Sequence, residues 1–293
     1  MSLENQIRQK QAVVCCCDDE IADRVARVLD DWRIERVVNR EALAELFANR
    51  RVDLVLTGGE ISGKEAVQIF RDIQLLQPGT KVILQPREST REDVIAAMRL
   101  GAFSYFSKPY FETAFDEILR HADSGDEWQD SIRINSGTSA WLRIIARCEL
   151  ATADRTIQFM NEVSDLSGKD RESMGFALKE IVMNAMEYGG QFNRERLVEV
   201  SYVRGTRMIL YRVRDPGDGF SLEELTHAAI SNPPDEPVRH LEVRDAMGIR
   251  PGGFGVLLVR KLVDDLIYSE QGNDVLLIKY LDGETLANST PPD

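Results

Sequence analysis

Residues 174–190 read MGFALKEIVMNAMEYGG. Apolar side chains at Met174, Phe176, Ala177, Leu178, Ile181, Val182, Met183, Ala185 and Met186 cover most of a helix circumference, so the spacing predicts a largely buried helix. Glu180, Asn184 and Glu187 interrupt this at i, i+4 and i+7 and form one narrow polar stripe. Burying an unpaired carboxylate and amide is costly, so such a stripe usually faces a ligand, a metal or a wet cleft. Glu followed by Asn four residues later is common by chance, and the stripe gains weight only from its neighbours.

Two neighbours lie downstream. RDPGDGFS, residues 214–221, follows the apolar run RMILYRV; Pro and Gly end a strand there and allow a tight, exposed turn. A carboxylate at that strand end can accept a hydrogen bond from an exocyclic amine, although DPGDG alone is an ordinary turn. PGGFGVLLVRKLVDD, residues 251–265, sets three glycines directly before an apolar helix, where backbone N–H groups can approach phosphate. It lacks the Gly-Lys-Ser/Thr of a P-loop, and no βαβ unit frames it as a dinucleotide fingerprint.

Around these segments the chain predicts strands over 141–149, 197–203, 207–213 and 274–281. Helices are expected over 152–165, from the SGKD turn through Tyr188, and over 256–266, with a long irregular stretch over 220–253. Helices layered on one antiparallel sheet make an α+β sandwich.

Upstream the grammar differs. Short apolar runs (AVVCCC, RVV, DLVLT, KVILQ, FSYFSKP) alternate with amphipathic helical patterns from Gln11 to about His121. That alternation implies a parallel, doubly wound α/β sheet of flavodoxin-like pattern. Three features fall at the carboxyl ends of its strands, where such folds carry their sites: Asp18 with Asp19, Gly58 with Gly59, and Lys108 with Pro109. Paired carboxylates suit a hard cation such as Mg²⁺, and a Lys opposite them suits a phosphate. The polar stretch between Asp123 and Ser139 reads as a linker with a short strand at 132–134. The expected division is 1–124 for the first domain, 125–138 for the linker, 139–285 for the second domain and 286–293 for a frayed tail.

With 293 residues, 43% hydrophobic and 29% charged, the chain is long enough for two cores. A formal charge of -13 with scattered basic residues argues against a nucleic-acid partner. No apolar run spans a membrane, and MSLENQIRQKQ has no apolar core of a secretory signal, so cytoplasmic localisation is expected. Cys15, Cys16 and Cys17 are consecutive, and alternating strand directions keep them from sharing one metal; Cys148 stands alone, and all four read as small, partly buried residues.

The first 120 residues resemble the response-regulator receiver family. On that resemblance Gly58 stands where the family has its phosphorylated aspartate, and Pro86 where it has the switch Ser or Thr, while Asp18, Asp19 and Lys108 remain. A glycine has no nucleophile, so the domain is expected to be a pseudo-receiver with a vestigial Mg²⁺ site at Asp18 and Asp19. Residues 140–281 resemble the GHKL (Bergerat-type) ATPases, and among them the anti-sigma-factor serine kinases, through the order of the three segments quoted above. The resemblance assigns Asn184 to Mg²⁺, Glu180 to the general base, Asp215 to adenine with Gly217 and Gly219 shaping its loop, and Gly253 and Gly255 to phosphate. Residues 220–252 would form the nucleotide lid. The chain departs from the family in having Asn273 after Gly272 where Thr is frequent, and Tyr188 where His is frequent.

The function these readings imply is an ATP- and Mg²⁺-dependent serine/threonine kinase or anti-sigma-type regulator. Its partner is expected to be a protein, an anti-sigma antagonist or a sigma-like factor, with no nucleic acid and no membrane, and homodimerisation is left open. The alternative is a catalytically inactive, ATP-gated protein-binding module of a two-component or partner-switching pathway. A histidine kinase is disfavoured, because His121 runs into the linker and His227 and His240 fall in the lid.

Overall fold

The computed structural model describes residues 8–59, 61–123, 128–219 and 254–281, together with Glu236, Arg239, Leu241 and Ala246. The chain forms two compact units, residues 1–130 and 131–293. Among the described residues no helix is long and apolar enough to cross a membrane.

The first unit alternates strands β1 (Gln11–Cys15), β2 (Arg33–Val37), β3 (Leu54–Gly58), β4 (Lys81–Gln85) and β5 (Ser104–Tyr105) with helices α1 (Asp19–Val28), α2 (Arg40–Asn49), α3 (Gly63–Leu76), α4 (Arg91–Arg99) and α5 (Glu112–Ala122). The strands pair in parallel in the order β2-β1-β3-β4-β5, the flavodoxin-like arrangement expected. Every residue of β1, β3 and β4 is buried, which is why these strands read as unbroken apolar runs: helices cover both faces. Ala12, Val14, Leu54, Leu56 and Ile83 of the sheet meet Ile21, Val25, Phe115 and Leu119 of α1 and α5 in one core. The starts of α1 to α4 follow capping chemistry. Asp18 and Asn39 cap α1 and α2, and Ser62 with Glu65 and Thr90 with Asp93 form capping boxes on α3 and α4. Two boundaries differ from expectation. Val38 leaves β2 and is 84% exposed, and FSYFSKP contributes only a two-residue strand.

The second unit is a six-stranded antiparallel sheet in the order β10-β11-β9-β8-β7-β6. Its strands are β6 (Ile132–Gly137), β7 (Trp141–Arg147), β8 (Leu197–Arg204), β9 (Met208–Arg214), β10 (Asp265–Tyr268) and β11 (Asp274–Tyr280). Among the described residues its helices are α6 (Leu150–Val163), α7 (Gly168–Asn184) and α8 (Gly255–Leu262). On the buried sheet face lie Leu142, Ile144, Val200, Tyr202, Tyr211 and Val213, and the Tyr211 hydroxyl donates to the Met160 carbonyl of α6 at 3.1 Å. The other face carries ion pairs, Arg143 with Glu199 and Arg212 with Asp274.

Three expectations are corrected here. The helix over 256–266 stops at Leu262, and Asp265–Tyr268 is instead a strand paired with β11. The helix through Tyr188 keeps α-helical bonding only to Asn184 and ends in a π-helical turn, Ala185–Gly189. Phe176, grouped with the buried residues, is 44% exposed, because it sits one turn before Glu180 on the same stripe.

Candidate functional site

Helix α7 and its π-turn organise the second unit. Glu180 and Asn184 are one helical turn apart and half-buried, and no described residue hydrogen-bonds to either side chain. At the helix end the Gly190 N–H donates to the Ala185 carbonyl at 2.9 Å, and the Phe192 N–H to Met186 at 2.9 Å. Gly190 and Gly189 come to lie against Cys148, just after β7, and Asp215, just after β9. A Cβ on Gly190 would stand 2.8 Å from the Cys148 Cβ, and one on Gly189 only 2.6 Å from the Asp215 Cβ, with the carboxylate closer still.

Asp215 closes β9. Its N–H donates to the Asn273 carbonyl at 3.0 Å, and its Oδ1 accepts from the Gly217 N–H at 2.8 Å. No other described residue donates to the carboxylate. Burial pushes its pKa above the usual carboxylate range, with the Asp274 charge adding to the rise, and the Gly217 N–H only partly offsets this. The Asn273 side-chain amide donates to the Gly217 carbonyl at 3.0 Å, so the residue that departs from the family pattern braces the loop. Gly219 has φ +84°, and a side chain there would overlap the Gln271 carbonyl, so only glycine fits this turn. Burial also raises the Cys148 thiol, to about 11, with the Asp215 charge adding to the effect.

The start of α8 meets α7. A Cβ on Gly255 would lie 2.5 Å from the Glu180 Oε2, so the carboxylate stands directly against the first residue of this helix. The close approaches thus form two sets, Glu180 with Gly255 and Gly189 with Asp215 and Gly217, and Asn184 lies between them along α7 and its π-turn. Gly253, the lid over 220–252, and His227 and His240 lie outside the described residues. Gly189 is absent from the sequence-based assignment, although the glycine pair ending the Asn184 helix was visible; nothing in the sequence tied it to Asp215.

At the carboxyl ends of the first unit's strands the acid pair separates. Asp18 caps α1, accepting from the Ile21 N–H at 2.9 Å, and its other oxygen meets Lys108 Nζ at 3.2 Å. The Ile21 hydrogen bond and then Lys108 hold its pKa below the usual range. Asp19 turns outward to Arg36. The side chain beside Gly58 is Cys17: a Cβ on Gly58 would stand 2.8 Å from its Sγ and 3.1 Å from the Gln85 carbonyl. Burial raises the thiols of Cys15, to about 12, and of Cys17. Among the described residues no group of three or more His, Cys, Asp or Glu is arranged to hold a metal ion.

Two family models match the chain. The model of the response regulator receiver domain matches residues 14–120, and that of the histidine kinase-like ATPase domain residues 146–279. The transcriptional regulatory protein GlrR of Escherichia coli is 29% identical over 141 residues, 46% of this chain and 29% of its own length. The serine-protein kinase RsbW of Oceanobacillus iheyensis is 27% identical over 111 residues, 38% of this chain and 65% of its own length. The chain therefore spans less than two thirds of each of these relatives. Among solved structures, the signal receiver domain of an HD domain-containing protein from Pseudomonas fluorescens is 21% identical with a TM-score of 0.35, covering 39% of this chain and 94% of that one. The chain joins a response regulator receiver domain to a histidine kinase-like ATPase domain.

Proposed function

We propose that the second domain binds Mg-ATP and phosphorylates a serine or threonine on a partner protein, beside a receiver domain that does not itself accept a phosphoryl group. The observation that carries this reading is the Glu180–Asn184 pair: half-buried and without partners among the described residues, with Glu180 set against the start of α8. A half-buried polar pair without partners among the described residues is suited to a ligand that satisfies it. Mg-ATP, when bound, supplies the transferable γ-phosphoryl group and the cation that neutralises its charge. The Asn184 amide oxygen would hold the cation, and the unused capacity of the Asp215 carboxylate would accept the exocyclic amine of adenine. Backbone N–H groups at Gly253 and Gly255 would meet phosphate oxygens. Glu180 would accept the proton of the partner's hydroxyl as that oxygen displaces ADP at the γ-phosphoryl group.

The likeness to a serine-protein kinase favours a protein substrate. An anti-sigma antagonist or sigma-like factor as partner and the cytoplasm as the site of action complete this reading, as the resemblance to the anti-sigma-factor serine kinases implies. In the first domain a glycine at position 58 and a thiol filling the space beside it remove the nucleophile and its room.

Calorimetry tests the nucleotide site. Mg-ADP should bind wild type only with Mg²⁺ and should fail to bind Asn184→Ala; equal affinity in that variant overturns the assignment. Incubation with labelled ATP and candidate acceptor proteins tests the kinase, and absence of any labelled acceptor would favour the binding-module alternative.

A further inference from the structure

The π-turn after Asn184 has a consequence for base recognition. An α-helix has 3.6 residues per turn, and one i→i+5 closure inserts an extra residue before the helix ends. Here the π-turn ends at Gly189, beside the Asp215 side chain. The position a Cβ would take on Gly189 is occupied by the Asp215 Cβ at 2.6 Å and by its carboxylate. Gly217, whose N–H donates to Oδ1, packs on the same atom: its own Cβ would lie 2.9 Å from the Gly189 Cα. The plate itself is held, since Arg196 Nη1 donates to the Gly189 carbonyl at 3.1 Å. Asn273 closes the far side through its bonds to Asp215 and Gly217.

We propose that Gly189 is a positioning residue that fixes the Asp215 rotamer, and that the preference for a purine bearing an exocyclic amine depends on it. The proposal rests on the nucleotide reading above and deepens it. With one oxygen tied to Gly217 and the side chain pressed on Gly189, the remaining acceptor can meet a 6-amino donor but repels a 6-oxo group. Any side chain at 189 must push Asp215 off this seat. The metal end of the site, on Asn184 one turn earlier in the helix, keeps its geometry.

The test uses the full chain and two probes, Mg-ADP and Mg-IDP, which differ in the 6-amino and 6-oxo groups. Wild type should prefer ADP by about tenfold to a hundredfold, the range of one charge-assisted hydrogen bond. In Gly189→Ala the preference should collapse, ADP falling to the level of IDP while the Mg²⁺ requirement persists. An undiminished preference in that variant overturns the proposal. Melting temperatures provide a second measurement that needs no ligand. Gly189→Ala should lower the midpoint by roughly 2–12 °C, the effect of a tight overpacking in a domain of this size. In an Asp215→Ala background, where the space is vacated, the same change should cost much less. This double variant also serves if Gly189→Ala alone does not fold. Equal losses in both backgrounds overturn the proposal. If wild type binds neither nucleotide, the nucleotide reading falls, and the melting cycle still decides whether Gly189 seats Asp215.

Discussion

Both units place carboxylates at the carboxyl ends of strands, and they treat them in opposite ways. In the first, Asp18 is spent on its own chain: one oxygen caps α1 and the other pairs with Lys108, and its pKa is lowered. The space beside Gly58 is filled by Cys17. In the second, Glu180 and Asn184 have no partners among the described residues, and Asp215 is half-satisfied and raised by burial. Polar groups that satisfy one another stabilise a fold but leave nothing for a ligand, whereas groups held apart cost stability and await one.

The largest effect should come from the second unit. Glu180→Gln keeps shape and hydrogen bonding but removes basicity, so phosphorylation of a partner should fall about 10²–10⁴-fold with nucleotide affinity nearly unchanged. An unchanged rate, measured with labelled ATP, would remove Glu180 from the chemistry and blur the contrast between the sites.

In the first unit, Gly58→Asp should not restore a phosphoacceptor. Its Cβ collides with Cys17 and the Gln85 carbonyl, which should cost about 1–3 kcal/mol in denaturant unfolding. Acetyl phosphate should leave the intact mass of both wild type and variant unchanged. Adding Cys17→Ala should recover part of the stability. A phosphorylated Gly58→Asp protein would show that the pocket is merely vacated rather than refilled.

Smaller effects separate the two aspartates by sign. Asp18→Ala should cost about 1 kcal/mol, the worth of a helix cap. Because its folded pKa is lowered, Asp18 contributes stability above its unfolded value, and that stability is lost as pH falls through the folded one, so the cost should vanish in acid. Asp215 has the reverse linkage. Its folded pKa is raised, so it contributes nothing below its unfolded value and destabilises once pH exceeds the folded one. Asp215→Asn should therefore raise the melting midpoint of the nucleotide-free protein at neutral pH, with the gain shrinking in acid. A gain that grew in acid would contradict the burial of Asp215.

Much of this was legible in the chain itself. Strands β1, β3 and β4 were readable because burial on both faces demands unbroken apolar runs, and the Glu180–Asn184 stripe because polar residues inside an apolar helix need a reason. Strand β10 was not readable: Asp264-Asp265-Leu266 continues the helical spacing of the preceding residues, and only pairing with β11 makes it a strand. Phe176 was misjudged because composition shows how apolar a helix is, not which stripe its neighbours leave open.

Sequence alone determined the two-part architecture, the order of the polar stripe, the DPGDG turn and the glycine-rich helix entry, and the glycine at position 58, since periodicity and residue chemistry are properties of the chain read locally. Only the tertiary structure decided that Cys17 stands beside Gly58, that Gly255 makes room for Glu180 and that Gly189 carries Asp215. Each of these is an approach of a few ångströms between residues from 26 to 75 positions apart, or across a turn whose winding departs from the α-helix. Steric exclusion at such distances depends on where the backbone goes, which local residue preferences do not encode.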